Sequence, residues 1–199
     1  MLVAGSVGPY GAYLADGSAY RGDYQRTATE FKGFHRSRIQ ALLDAGVDLL
    51  AVETMPRLTE VEAVLELIHA EFPNTICWIS CTLKDPTHLS DGTPLQDLTK
   101  LVERYKDQVV AVGINCVPTE LVADALRALK SYTTLPLVCY PNSGETWNAD
   151  TKTWSGLTAC DDDDENGIRS WQDSGASLIG GCCRTGPKFI ETVQHSLRQ

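Results

Sequence analysis

Short apolar runs alternate along this chain with longer stretches in which apolar positions recur every three to four residues. The continuous runs are residues 2–7, 47–52, 75–83, 108–114, 135–140 and 177–180. Such runs predict strands buried on both faces. The periodic stretches predict amphipathic helices. The first spans residues 27–45, with Phe31, Phe34, Ile39, Leu42 and Leu43 on one face and Gly46 at its end. The second spans 58–72, with Val61, Val64, Leu65 and Ile68 inward, and Pro73-Asn74 stops it. Further helices are predicted over 95–105, 120–129, 167–174 and 187–197, the last opening on a proline suited to a first turn. Strand and helix therefore alternate through the whole of residues 1–199, read as one domain. The pattern predicts an α/β fold of the (β/α)8 TIM-barrel type, here with about six βα units. An open doubly wound sheet is the alternative.

Between these elements lie three polar stretches. After the turn Gly8-Pro9-Tyr10-Gly11, a long loop holds Tyr10, Tyr13, Tyr20 and Tyr24. Long loops at strand ends carry function more often than other segments, and packing of the tyrosines is the competing explanation. A second loop, residues 84–93, holds His88, Asp91 and Gly92. The third follows Pro141-Asn142-Ser143-Gly144 and runs through Trp147, Trp154 and the acidic run 161–165. The spacing of Gly5, Gly8 and Gly11 is not the dinucleotide fingerprint, and no phosphate-binding loop is present.

Charge and cysteine usage narrow the function. A net charge of -9 argues against nucleic acid, whose phosphates would be repelled. No apolar run approaches a membrane span, and the first residues lack the features of a secretory leader. The seven cysteines, an odd number, lie mostly in strand-like runs, which points to a reducing, cytoplasmic compartment rather than a disulfide scaffold.

Three of those cysteines stand apart. Cys182 and Cys183 follow Gly180-Gly181 at the end of one predicted strand, and Cys116 ends another. Adjacent cysteines rarely bond to each other, but a sharp glycine turn lets both face one metal ion. Three converging thiolates leave one tetrahedral position of Zn²⁺ open, as in a catalytic site. Three buried, unreactive cysteines are the plainer reading. Zn²⁺ with three thiolates carries a formal charge of -1, and a fourth thiolate would make it -2. Such a site polarises a carbonyl poorly. It suits delivery of a thiolate to an electrophilic carbon, and a cationic methyl donor would be drawn to it.

Five motifs carry a family resemblance. They are Val3-Ala4-Gly5-Ser6-Val7-Gly8-Pro9-Tyr10-Gly11, Glu53-Thr54-Met55-Pro56, Gly113-Ile114-Asn115-Cys116, Tyr140-Pro141-Asn142-Ser143-Gly144-Glu145 and Gly180-Gly181-Cys182-Cys183-Arg184-Thr185. Together they resemble the homocysteine S-methyltransferase family, most nearly its branch that uses S-methylmethionine or S-adenosylmethionine, across essentially the whole chain. The resemblance implies a (β/α)8 barrel with Zn²⁺ held by Cys116, Cys182 and Cys183. Homocysteine sulfur would take the open position and attack the donor methyl group in line, giving methionine. Glu53 matches the acidic residue that holds the homocysteine amino group; an ordinary strand-end carboxylate is its alternative. Asn142 and Gly144 match a strand-end motif beside the substrate. Tyr10 and Tyr13 belong to a loop that would cover the donor, with core packing as the competitor. Arg184 would pair with a carboxylate near the metal. No catalytic group beyond the zinc site is assigned.

The chain departs from the family in one respect. The family's N-terminal Asp-Gly-Ala-type turn has no counterpart, and six units stand where a barrel needs eight. Two N-terminal units are thus expected to be missing, with open edges that favour self-association. A zinc-binding remnant without catalysis is the runner-up reading. A thiol redox module is the third, with the absence of a CxxC motif against it.

Overall fold

The computed structural model describes residues 1–148, 151–156 and 165–198. In chain order the elements are β1 (Ala4–Val7), α1 (Tyr10–Leu14), a 3-10 turn (Ser18–Tyr20), α2 (Ala28–Asp44), β2 (Leu49–Met55) and α3 (Leu58–Glu71). Then come β3 (Cys77–Cys81), a small hairpin of β4 (Leu83–Asp85) and β5 (His88–Leu89), α4 (Leu95–Glu103), β6 (Val109–Asn115), α5 (Thr119–Lys130) and β7 (Leu137–Tyr140). A second hairpin of β8 (Thr146–Asn148) and β9 (Thr153–Ser155), then α6 (Glu165–Asp173), β10 (Ala176–Ile179) and α7 (Pro187–Ser196) complete the chain.

Local chemistry explains these elements. Thr27 caps α2 in a reciprocal capping box with Glu30, which satisfies two otherwise orphaned N–H groups. Pro187 opens α7, where its missing N–H costs nothing. The strands are apolar on both faces, and β2 and β6 are buried along nearly their full length. Gly113 in β6 has a strict reason to be glycine. A Cβ there would stand 1.7 Å from the Val138 carbonyl oxygen of the adjoining strand.

β1, β2, β3, β6, β7 and β10 form one sheet, every neighbouring pair is parallel, and their spatial order is their chain order. A doubly wound sheet reverses its strand order at a switch point; this one never does. Each helix from α2 to α7 also packs on the next, so they line one face of the sheet in sequence. Their inward side chains, among them Val64, Ile68, Leu98, Leu126 and Phe189, meet Leu50, Val52, Ile79 and Val112 in one core.

The sheet is strongly curved. The Tyr140 hydroxyl at the end of β7 donates to Glu53 Oε2 in β2 at 2.9 Å, although β6 and β3 lie between. In a flat sheet, strands three places apart would stand about 14 Å from each other, beyond such a contact. Asn115 in β6 likewise reaches over β3 to Thr54. The carboxyl ends of the strands therefore converge on a concave face. The sheet is not closed: among the described residues, β1 and β10 pair with no strand on their outer sides.

The long polar loops contain more structure than their composition predicts. Residues 84–93 fold into the β4–β5 hairpin, the stretch after Gly144 into β8–β9, and the tyrosine-rich loop into α1 and its 3-10 turn. Cys160 and most of the acidic run lie outside the described residues. Among those described, no helix is long and apolar enough to cross a membrane.

Candidate metal centre and its surroundings

Cys116 follows β6 directly, and Cys182 and Cys183 follow β10. Their three sulfur atoms lie within 4.8 Å of one another, and Cys116 Sγ is 3.8 Å from Cys183 Sγ. Three ligands of a tetrahedral Zn²⁺ at about 2.3 Å would stand about 3.8 Å apart, so this donor set fits such an ion. Three other cysteines do not join it: Cys77, Cys81 and Cys139 are buried inside strands, and burial pushes the thiols of Cys77 and Cys139 up to about 12.

Backbone conformation delivers the three thiols. Cys116 has φ of 52° and Arg184 has φ of 67°, both left-handed conformations that a non-glycine residue adopts only when its surroundings enforce it. At Cys116 the enforcement is its N–H, bonded to the Tyr140 carbonyl at 3.2 Å. Around the cysteine pair, Cys182 N–H donates to the Pro141 carbonyl, and Thr185 donates through both N–H and hydroxyl to the Cys182 carbonyl. Gly181 has to be glycine here, because a Cβ would come within 2.2 Å of Thr185 Oγ1.

The thiols also shape one another's charge. Hydrogen bonds from Cys116 and then Cys182 hold the Cys183 thiol far below the ordinary range. Cys116 moves the opposite way, driven first by its hydrogen bond with Cys182 and then with Cys183.

The other predicted residues fall into two groups. Asn142 is buried beside the cluster; its Oδ1 accepts from Cys183 N–H at 3.3 Å, and its own N–H donates to Val117. A cavity of about 370 Å³ opens there, lined by Cys116, Asn142, Gly144, Gly17, Tyr20 and Trp154. Arg184 pairs with Glu145 at 2.9 Å, which holds that carboxyl below the usual range. Glu53 stands across the concave face, where Ser6 Oγ donates to Oε1 at 2.5 Å and Tyr140 to Oε2. Trp78 Nε1, which can only donate, gives its hydrogen to the Tyr140 oxygen at 2.9 Å, and Ser80 bonds to the same oxygen. Burial, and then Glu53, push the Tyr140 hydroxyl well above the ordinary range, so it keeps its hydrogen to donate.

Tyr10 is not at the cavity. It packs against Phe34 and Phe31 of α2 and against Tyr13 and Tyr24, with the Arg26 guanidinium 4.9 Å from its ring centre. The tyrosine that the loop sends to the site is Tyr20, whose hydroxyl is 4.0 Å from Cys183 Sγ. Burial, then the Cys116 and Cys183 sulfurs, push its hydroxyl above the ordinary range. Composition could not rank the loop's tyrosines, since the difference lies in the tight turns between them.

Sequence reasoning also passed over Asn115. Its Oδ1 accepts from Thr54 N–H and its Nδ2 donates to Thr54 Oγ1, each at 2.8 Å. Thr54 has φ of 62°, exceptional for a β-branched residue. One side chain thus ties the residue after Glu53 to the residue before Cys116. Its place inside the Gly113-Ile114-Asn115-Cys116 motif was the available clue.

The profile of the homocysteine S-methyltransferase family matches residues 1–197. The chain belongs to that family. It is 54% identical over 194 residues to the homocysteine S-methyltransferase of Escherichia coli K12, covering 98% of this chain and 62% of that protein. It is 47% identical to the homocysteine S-methyltransferase YbgG of Bacillus subtilis, covering 96% of this chain and 60% of the relative. The crystal structure of the E. coli homocysteine methyltransferase MmuM in its metallated form superposes with a TM-score of 0.86 at 50% identity, covering all of this chain and 62% of that one. The chain therefore spans about three fifths of the length of these family members.

Proposed function

We propose that this protein catalyses zinc-dependent methyl transfer to homocysteine from a sulfonium donor, S-methylmethionine or S-adenosylmethionine, giving methionine. The observation that carries this reading is the set of three sulfurs within 4.8 Å of one another at the ends of β6 and β10, in a member of the homocysteine S-methyltransferase family. In the same reading the curved six-stranded sheet is an arc of a (β/α)8 barrel, and its concave end is the active face.

Cys116, Cys182 and Cys183 would hold the ion. Zn²⁺ in that set would lower the pKa of an incoming thiol and keep it as a nucleophile. Glu53 would accept hydrogen bonds from the homocysteine ammonium group, its carboxylate already oriented by Ser6 and Tyr140. Asn142 and Gly144 would wall the substrate sulfur on the cavity side, Asn142 also fixing the Cys183 backbone. The aromatic side chains of Tyr20 and Trp154 line the same cavity and suit a sulfonium cation. The transfer itself forms a carbon–sulfur bond at homocysteine as the donor's carbon–sulfonium bond breaks. The donor departs as a neutral thioether.

Zinc content and methionine formation, measured on one purified sample with homocysteine and each donor in turn, test the reading. Near one equivalent of zinc with methionine formed is the expected result. Zinc without methionine from either donor would overturn the transfer, and no zinc would overturn the metal centre.

A further inference from the structure

The proposed chemistry leaves one buried carboxylate without a task. Glu60 in α3 is wholly buried, and so is His35 of α2. Glu60 Oε1 accepts from the Tyr10 backbone N–H at 2.6 Å and from His35 Nε2 at 2.8 Å, and its Oε2 accepts from the Tyr24 hydroxyl. A carboxylate only accepts, so Nε2 carries the His35 hydrogen; His35 Nδ1 has no partner. Burying a charged group with three donors is costly for stability alone, and apolar packing would serve a helix pair as well.

Two of the three donors bracket one segment, residues 10–24. Within it Gly22 N–H bonds to the Ser18 carbonyl at 2.8 Å, and Ser18 Oγ to the Gly11 carbonyl at 3.4 Å. The segment is thus internally closed, and Glu60 holds both ends. From its middle, Tyr20 lines the cavity and sets its hydroxyl 4.0 Å from Cys183 Sγ. Lys152 Nζ also donates to the Ala15 carbonyl at 2.5 Å, while Thr82 to the Ala19 carbonyl and Arg57 to the Gly22 carbonyl are weaker side attachments, at 3.3 and 3.4 Å.

We propose that Glu60 is a positioning residue for the thiol cluster: it fixes residues 10–24 between α2 and α3, and so places the Tyr20 hydroxyl as a hydrogen-bond donor to Cys183. The metal half of this inference rests on the zinc reading above; the anchoring half does not.

Amide hydrogen exchange and the absorption of the cobalt-substituted protein separate the two. In Glu60→Gln, which keeps the volume and removes the charge, exchange of residues 10–24 should rise about tenfold, the effect of one weakened buried hydrogen bond to a charged group. The central strands should keep their protection. Tyr20→Phe should leave exchange unchanged but move the sulfur-to-cobalt charge-transfer band to longer wavelength, because a thiolate that loses a donor holds its electrons less tightly. Glu60→Gln should give the same band shift, and the double variant no more than Tyr20→Phe alone. If Glu60→Gln does not fold, Tyr24→Phe removes one donor and serves the same comparison. Unchanged exchange of residues 10–24 would overturn the anchor. Raised exchange with an unmoved band in Glu60→Gln, or no band shift in Tyr20→Phe, would overturn the link to Cys183. Failure of the unsubstituted protein to take up cobalt would count against the zinc reading and the link, while exchange alone would decide the anchor.

Discussion

Glu60 and Cys116 are both buried side chains set among polar neighbours, but they meet different company. Glu60 faces three donors, one each from a backbone N–H, a phenol and an imidazole. Cys116 faces two other thiols and, beyond them, the Tyr20 hydroxyl. In the first cluster all three donors end on one carboxylate, and His35 Nδ1 alone is left without a partner. The second is crowded with sulfur and short of positive charge, and its deprotonated forms repel one another. The difference separates a cluster that ties elements of the fold together from one whose donors suit a cation. Cys116, Arg184 and Thr54 have left-handed backbones beside the thiols or beside Glu53, and Ala15 has one within the segment that Glu60 holds.

The sharpest way to break this contrast is at the thiols. Replacing Cys116, Cys182 or Cys183 by Ser is expected to weaken zinc binding on the order of a thousandfold, because a hydroxyl is a far poorer ligand than a thiolate. The thermal stability of the metal-free protein should barely change. Competition with a chromophoric chelator gives the affinity, and full affinity in all three variants would remove the cluster from the list of metal sites.

The Glu60 network should respond in the opposite sense. Glu60→Leu leaves the Tyr10 N–H, the Tyr24 hydroxyl and His35 Nε2 without an acceptor in a dry interior. A loss of about 3 kcal/mol in urea unfolding is expected, with or without metal. A variant as stable as the parent would mean that the network ties the fold together no more than the thiols do.

The same two clusters mark what could be read from the sequence. The thiol cluster was legible because its three residues are chemically rare, sit at strand ends and follow a glycine pair whose only other explanation is a tight turn. All six parallel strands and the six long helices were legible too, since the apolar period changes cleanly between them. Boundaries moved by a few residues, as where β2 continues through Glu53 to Met55. The Glu60 network was not legible. Glu60 lies in an amphipathic helix rich in glutamate, and nothing in its spacing distinguishes it from half-buried Glu62 or Glu66, which pair with Arg104 and Lys32. Its burial depends on α1, five residues long in a loop that has no helical period to detect. Tyr10 was assigned to the site for the same reason: only the three-dimensional path of residues 10–24 shows that Tyr20 is the one facing Cys183.

Between the two extremes stands Glu53, a half-buried carboxylate held by two hydroxyls and, in the proposed function, ready to take an ammonium group as well. Glu53→Gln keeps the contacts with Ser6 and Tyr140 in part but removes the charge. Homocysteine affinity measured by calorimetry should fall about thirtyfold, the loss of one charge-assisted hydrogen bond, while zinc content stays the same. Unchanged affinity would show Glu53 to be a strand-end carboxylate satisfied by its own neighbours, like Glu60.

The smallest effect is expected where a polar cluster is complete but exposed. In the β4–β5 hairpin, His88 and then Thr87 hydrogen-bond Asp85 and hold its carboxyl down to about 2. Since the folded state lowers this pKa, the interaction stabilises the protein above the ordinary carboxylate range near 4, and the stabilisation is lost as pH falls toward 2. Both side chains are about two fifths exposed, so solvent screening should leave well under about 1 kcal/mol of it. Asp85→Asn should therefore cost a few tenths of a kcal/mol at pH 7 and nothing at pH 2, read from urea midpoints at the two values. A cost as large at pH 7 as that of Glu60→Leu would mean that burial is not what separates the strong clusters from the weak ones. A cost that persists at pH 2 would mean that the Asp85 charge is not what the hairpin uses.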